Sequence, residues 1–454
     1  MLKSDAALLP VAIASAVLGV VTVLYVDWVG FSPVRIAALP LLLVLLAMLV
    51  MDKRRLFLGI LLVRAVCDPI FDSAKFSIAG MNLGVGAVLN ALVILMALLF
   101  ICERAPVRQS NSAQAARPGL PLWVPALLLI LLVAVLRSPE PGAALRTFLV
   151  LLSYAAVFVI PFHLARQGDD ANFCFRIVLL SSLLPVLYAL ADLLLHIGPG
   201  FRLQGSFTHP NIFAFYLLLV LALLFHQLKS ETVRLSPLLR GWACAYMALL
   251  LILLVLTQTR SAWLAGIFVF AVYSLLFERR LLLYLLVVPV FALGLPEVRE
   301  RLLDLTATNY FDPYAQLNSF DWRVEIWKAG LVWMQPLQLL VGYGLNAFAF
   351  YSPQFFALAG HTHHGAHNVY VQWFFEIGAI GLLCLLWLFH RLLRTLGRRY
   401  TSDRRGTSIL MAMVVAYLLV CASDNMIDYL SFNWYFWFAL GAACCAAVQV
   451  RRPA

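Results

Sequence analysis

Apolar runs recur along almost the whole of this chain, most of them near the length that crosses a bilayer and the shortest, such as 56–67, reading as re-entrant or merged with a neighbour. They fall near 7–26, 37–51, 56–67, 84–102, 120–136, 147–164, 176–197, 211–228, 241–257, 262–278, 281–295, 369–389, 408–422 and 433–449. A helix rises about 1.5 Å per residue, so about twenty apolar residues span the hydrocarbon layer. Inside lipid the backbone must satisfy its own hydrogen bonds, and a chain patterned this way can do so only as helices. Of the 454 residues 63% are hydrophobic and 12% charged, against about a quarter charged in soluble domains. The expectation is an all-α, polytopic membrane protein forming one continuous body. Its chain divides into an N-terminal helical part (1–295), a large outer loop (296–368) and a C-terminal helical part (369–454).

Charge tests the threading. Alternate loops carry Lys53-Arg54-Arg55, Arg104/Arg108/Arg117, Arg166/Arg176, Lys229/Arg234/Arg240, Arg279-Arg280, the series from Arg391 to Arg405, and the tail Arg451-Arg452. All fall on one side of the proposed membrane, as the positive-inside bias requires. Both termini then lie inside, and the apolar run after Met1-Leu-Lys3-Ser-Asp5 reads as an uncleaved first helix. The net charge of +11 is accounted for by these loops and by anionic membrane lipid, so no nucleic-acid partner is expected. The eight cysteines sit mostly in apolar runs and offer neither a metal spacing nor a disulfide framework.

The outer segment 296–368 is too long for a structureless connection. A short helix is expected from Pro296. A second, amphipathic one runs from Arg323 and stops before Pro336, with a flexible turn at Val341-Gly342-Tyr343-Gly344. This predicts a small helical cap on the membrane surface. The segment ends in His361-Thr-His363-His364-Gly-Ala-His367-Asn368. His361, His363, His364 and His367 could ligate a metal, but the run lacks the fixed helical spacing of familiar zinc motifs, and His361 and His363 read as surface residues. His367 differs, because a helix follows it immediately and Asn368 stands in a capping position. The positive end of that helix favours neutral imidazole, the form that accepts a proton. On the helix itself, Glu376 turns away from Tyr370 and suits helix packing, and Gly378 and Gly381 allow close helix approach.

Among the arginines on the outer side, against the trend that places the basic loops, are Arg202, Arg260 and Arg323. Guanidinium grips phosphate through a planar fork, and several at outer helix ends would hold an anionic lipid headgroup. The plainer alternative is that each pairs with a nearby acid or reaches to lipid phosphate. Asp424 and Asp428 lie in the last outer loop within reach of the same region, and ordinary loop solvation accounts for them equally well.

The series Arg202-x-x-Gly205…His209-Pro210-Asn211, Thr259-Arg260-Ser261-Ala-Trp263, Arg323…Ile326-Trp327…Pro336…Gly342-Tyr343-Gly344 and His367-Asn368-x-Tyr370…Glu376-x-Gly378-x-x-Gly381 resembles the O-antigen ligase and polymerase superfamily. The resemblance covers the C-terminal half, from Arg202 to Gly381. It implies about a dozen transmembrane helices where the apolar runs number fourteen, about 12–14 in all, and puts the helical cap on the periplasmic side of a bacterial inner membrane. It further implies transfer of a glycan from undecaprenyl diphosphate to a sugar hydroxyl of lipid A–core, without cofactor or metal. His367 then matches the proposed base and Arg202 and Arg323 the diphosphate-holding residues, with Arg260 a weaker match; Tyr370 of the motif and His364, which the motif does not include, are candidate substrate contacts. A polymerase, or a ligase acting on protein hydroxyls, would share the donor chemistry. A transporter would instead need ionisable residues deep in the membrane, for which Arg64, Asp192 and His196 are the candidates.

Overall fold

In the computed structural model, residues 33–68, 75–78, 81–103, 123–166, 170–196, 201–283 and 319–449 are described, with a few single residues between them. The expected span 7–26, most of that at 281–295, the 104–119 connector, the helix expected from Pro296 and the Arg451-Arg452 tail lie outside these residues. In the described chain the elements are helices joined by turns, together with one short antiparallel hairpin, β1 (Lys75–Ile78) and β2 (Met81–Gly84). Its helices are α1 (Pro33–Val63), α2 (Val85–Cys102), α3 (Trp123–Leu136), α4 (Pro141–Arg166), α5 (Ala171–Ser181), α6 (Leu183–His196), α7 (Pro210–Lys229), α8 (Pro237–Leu256), α9 (Arg260–Leu276), α10 (Ser319–Trp333), α11 (Pro336–Val341), α12 (Ala347–Phe355), α13 (Val369–Leu396), α14 (Arg404–Val420) and α15 (Leu430–Gln449). Among the described residues, six helical stretches are long and apolar enough to cross a membrane, one of them Ala171–His196 with α5 and α6 taken together, and Gly86–Cys102, Ala126–Leu136 and Arg260–Leu276 are shorter apolar helices.

Two expected boundaries move. The runs at 37–51 and 56–67 belong to α1, which bends where Asp52 leaves helical geometry (φ −155°). The run at 176–197 is two helices, α5 and α6, meeting at Ser182, whose hydroxyl donates to Leu179 O. Elsewhere the helix starts follow their sequence signals. Asp170, Ser236 and Asp403 cap α5, α8 and α14 through side-chain oxygens, and Pro210 and Pro237 stand at first-turn positions where a missing N–H costs nothing.

Helix α7 is the centre of the bundle. Of its apolar window 89% is buried, against 17% for α8, which faces outward. α15 packs against α4, where Gly441 lies so close to Phe158 O that a side-chain carbon would sit 2.2 Å from it. Trp434 Nε1 donates to Ser153 Oγ at 2.9 Å, and Tyr154 OH to Ile427 O at 2.9 Å.

Helix α13 is not one straight rod. Gly378 has φ 68° and ψ −174°, a conformation open to glycine, and it divides the helix into two limbs. Positions 370 and 389 of an unbroken helix would stand about 28 Å apart. Here Tyr370 OH reaches Leu418 O at 2.6 Å, while Phe389 packs on Tyr417 with ring centroids at 5.6 Å. Both limbs therefore lean onto the same turn of α14. The carbonyls freed at the bend are taken by the loop after α11, where Tyr343 N donates to Phe375 O (3.0 Å) and Gly344 N to Glu376 O (2.8 Å). That loop also closes the end of α3, through Leu345 N to Ala134 O (3.1 Å) and Ser138 Oγ to Leu345 O (2.7 Å). Gly342 and Gly378 make the crossing possible, since a side-chain carbon on either would meet the opposing backbone at 2.2 Å. The cap is thus wedged between α3 and the bend of α13 rather than only resting on a surface.

Candidate active site

The site forms where the start of α7, the turn before α9, the cap helix α10, the start of α13 and the turn after α14 meet. The first limb of α13 is stitched to the 421–425 turn. Val369 N donates to Cys421 O (2.8 Å), Asn368 Nδ2 to Ala422 O (2.9 Å) and Asn425 Nδ2 to Gln372 Oε1 (2.7 Å). Asn368 caps the helix, its Oδ1 accepting from Tyr370 N and Val371 N. His367, one residue earlier, is forced into the left-handed region at φ 49°, a conformation that costs a non-glycine residue about 1 kcal/mol or more and persists only when its surroundings impose it. Here they do. Asn368 and Val369 are bonded on one side, and on the other Ala366 O accepts from Trp327 Nε1 of α10.

α10 also delivers Arg323, whose Nη1 donates to Ser423 O at 2.5 Å. From the opposite direction comes Arg202, its Nε on Thr257 O (3.2 Å) and its Nη2 on Asn211 Oδ1 (3.1 Å) and Thr259 Oγ1 (3.4 Å). Asn211 Nδ2 in turn donates to Asp424 Oδ2 at 3.0 Å. Asp424 is 3% exposed and also accepts from Tyr429 OH (2.6 Å) and Asn425 N (3.0 Å). Because Ser423 and Asp424 are adjacent, a continuous line of hydrogen bonds runs from Arg202 through Asn211 and this turn to Arg323. The two arginines, 121 positions apart in the chain, are joined by it.

Electrostatics follow from this placement. Partial burial lowers the pKa of His367, and the charge of Arg323 lowers it further, with smaller contributions from His364 and His209; Asp424 pulls the other way. His209 is lowered by burial and by Arg202, again opposed by Asp424. Two arginines thus repel protons from two imidazoles, and the region is a positive field around one buried carboxylate.

The remaining sequence candidates are placed as follows. His364 binds Thr362 Oγ1 through Nε2 at 2.6 Å and lies edge-on to Trp322 at 5.0 Å. Tyr370 directs its hydroxyl to Leu418 O and braces α13 on α14. Arg260 is the first residue of α9, next to Thr259. His363 Nδ1 contacts Ala349 O at 3.0 Å, and His361 is exposed. Glu376 is 2% exposed, with the backbone N–H groups of Asn346 and Phe348 at the start of α12 approaching it. The ionisable residues a transporter would use are engaged with acids or near a helix end. Arg64 binds Asp68 at 2.7 Å, and His196 faces Asp192 at 2.9 Å. The sequence offers Asp424 both as an acid within reach of the site and as an ordinary loop residue, and its burial makes it the hub. Asn211 and Tyr429 were not singled out. Their signal was a carboxylate one turn past the end of a span, facing an asparagine at the start of another.

The class this fold and site define is a polytopic all-α membrane protein with a polar site at one end of its bundle. Residues 245–386 match the family model described as O-antigen ligase, and this stretch is similar to that family. The matched stretch holds Arg260, Arg323, His364, His367 and Tyr370, while Arg202, Asn211 and Asp424 lie outside it. Among curated proteins no sequence matches the chain.

Proposed function

We propose that the protein is an O-antigen ligase of a bacterial inner membrane. On this reading it works on the periplasmic face, with its termini in the cytoplasm, and moves a glycan from undecaprenyl diphosphate to a sugar hydroxyl of lipid A–core. The observation that carries the reading is the convergence at one end of the bundle of His367, Arg323 and Asp424, with Arg202 tied to that aspartate through Asn211.

The chemistry suits these groups. A lipid diphosphate is already a good leaving group and needs charge stabilisation more than protonation. Arg202 and Arg323 supply that stabilisation to its oxygens. Neutral His367 takes the proton from the acceptor hydroxyl as its oxygen forms a bond to the anomeric carbon. The bond from that carbon to the diphosphate oxygen breaks, and lipid diphosphate leaves with the electron pair. One displacement inverts the anomeric centre. The imidazolium then formed lies near Asp424, which favours it, and gives up its proton to water before the next turnover.

The test is transfer by purified protein in proteoliposomes, supplied with lipid-linked glycan and lipid A–core. Glycan attached to core with an inverted linkage is the expected result. Product formed equally well when core is left out identifies a polymerase, and transport without covalent transfer ends the reading.

A further inference from the structure

His209 is a site histidine whose tautomer the backbone dictates. It is the residue before Pro210 at the start of α7, and its Nδ1 accepts the backbone N–H of Asn211 at 3.1 Å, capping the helix. A nitrogen that accepts a hydrogen bond from an amide carries no proton, so in the neutral ring the proton is on Nε2. The ring is exposed, and it stands where Arg202, Asp424 and His367 all act on it or are acted on by it. Its neighbours also keep it neutral, since protonation would break the helix cap and add a third positive group beside Arg202.

From this geometry we infer that His209 is a donor-binding residue: its Nε2–H is a fixed, uncharged hydrogen-bond donor for an oxygen of the lipid diphosphate beside Arg202. The inference rests on the ligase reading above and divides the labour between the two histidines. His367 has no such helix-capping role and can take a proton. His209 cannot serve as base without surrendering the cap of the central helix. An uncharged donor complements the arginine fork, because it adds a directional bond without raising the field that must also leave His367 free to accept.

Asparagine and glutamine separate the two nitrogens of the ring. His209→Asn keeps an acceptor at the capping position but has nothing at the Nε2 position. His209→Gln can place an N–H near that position. Binding of undecaprenyl diphosphate without glycan, measured in nanodiscs at neutral pH, should weaken about ten- to a hundred-fold in His209→Asn. Its thermal stability should match the parent, and affinity should recover in part in His209→Gln. The acid limb of transfer against pH should stay where it is in His209→Asn. Parental affinity in that variant overturns the inference, as does loss of the acid limb, which would make His209 the base. His209→Ser, which also caps, serves as the second variant if asparagine is poorly tolerated. Arg202→Ala is the control. If it too binds the diphosphate normally, the donor site itself is misassigned, whereas weakened binding there with none in His209→Asn removes only the role of His209.

Discussion

The central helix α7 has a histidine, an aspartate and an arginine at each end, and the two groups are used differently. At its start stand His209, Asp424 and Arg202, and at its end His226, Asp403 and Arg399. His226 is 0% exposed, its Nε2 3.8 Å from Asp403 Oδ2, with its ring edge-on to Phe175 at 5.1 Å. Asp403 is equally buried and accepts from Ser230 Oγ (2.6 Å), Glu231 N (3.1 Å) and Gly406 N (2.9 Å), while Arg399 Nη2 bonds Thr232 Oγ1 (3.1 Å). Around it Lys229 pairs with Glu278 at 2.7 Å. These bonds tie α7, α14 and the turn after α13 together at the end opposite the site. The outer group instead has a half-exposed His367 and an exposed His209, with Arg202 donating to Thr257 O and Arg323 to Ser423 O. The same residue types make a clamp where nothing can enter and a candidate active site where solvent reaches. Access, more than composition, decides which.

The largest effect should come from the outer end. His367→Ala removes the base, and general-base assistance is worth about 10²- to 10⁴-fold. Transfer should fall by that factor with thermal stability unchanged, and alanine at φ 49° should be little worse placed than histidine. If His226→Ala silenced transfer equally in protein of parental stability, the division between clamp and site would be broken.

At the opposite end, Asp403→Ala should reverse the pattern. It strips the cap from α14 and leaves Ser230 and Arg399 facing a buried gap, at a cost of about 3 kcal/mol. Chemical denaturation should show this loss, and the fraction that remains folded should retain parental kcat/KM. Asparagine at 403 should restore part of the stability by capping Gly406. A stable Asp403→Ala protein with lost activity would instead link the two ends functionally.

Much of the outer end was legible in the chain and its bend was not. Span length and the run of basic loops gave the membrane class, and the polar-to-apolar boundary at His367-Asn368 gave the helix start, because caps and hydropathy are local properties. Arg202 and Arg323 stood out as cations on the wrong side. Their junction depends on Asn211 meeting Asp424, a contact between residues 213 positions apart, and no local pattern encodes it. Gly378 read as a small residue for helix approach. Its positive φ depends on the loop at Gly342 donating two N–H groups to the bend, again a distant partner. The split at Ser182 escaped for a related reason, since an apolar run looks the same whether or not its backbone pauses.

A smaller effect should separate fork from charge. Arg202→Lys keeps the positive group but loses the planar geometry that reaches Asn211 and Thr259 while facing the donor. About a ten-fold rise in KM for the lipid-linked donor is expected, with kcat less affected. Parental KM there would mean that charge alone suffices and that the hydrogen-bonded line to Asp424 is not used in binding.

The smallest effect is also the most specific, because its sign reverses between two substitutions. The base works as neutral imidazole, so transfer is lost as pH falls through the pKa of His367. Burial and then Arg323 hold that pKa below the ordinary value, and Asp424 raises it. Arg323→Gln removes a positive neighbour, so the pKa rises and the acid limb should move to higher pH. Asp424→Asn removes the negative one, so the limb should move to lower pH. Asp424→Asn also disturbs the bonds to Asn211 and Tyr429 and should reduce the maximal rate, but the direction of the shift does not depend on that amplitude. Profiles of kcat/KM recorded between about pH 4.5 and 8 bracket the ordinary imidazole range. Two shifts of the same sign, or none in either variant, would show that the limb reports some group other than His367, and the outer end would lose its claim to differ from the clamp in having a base that titrates.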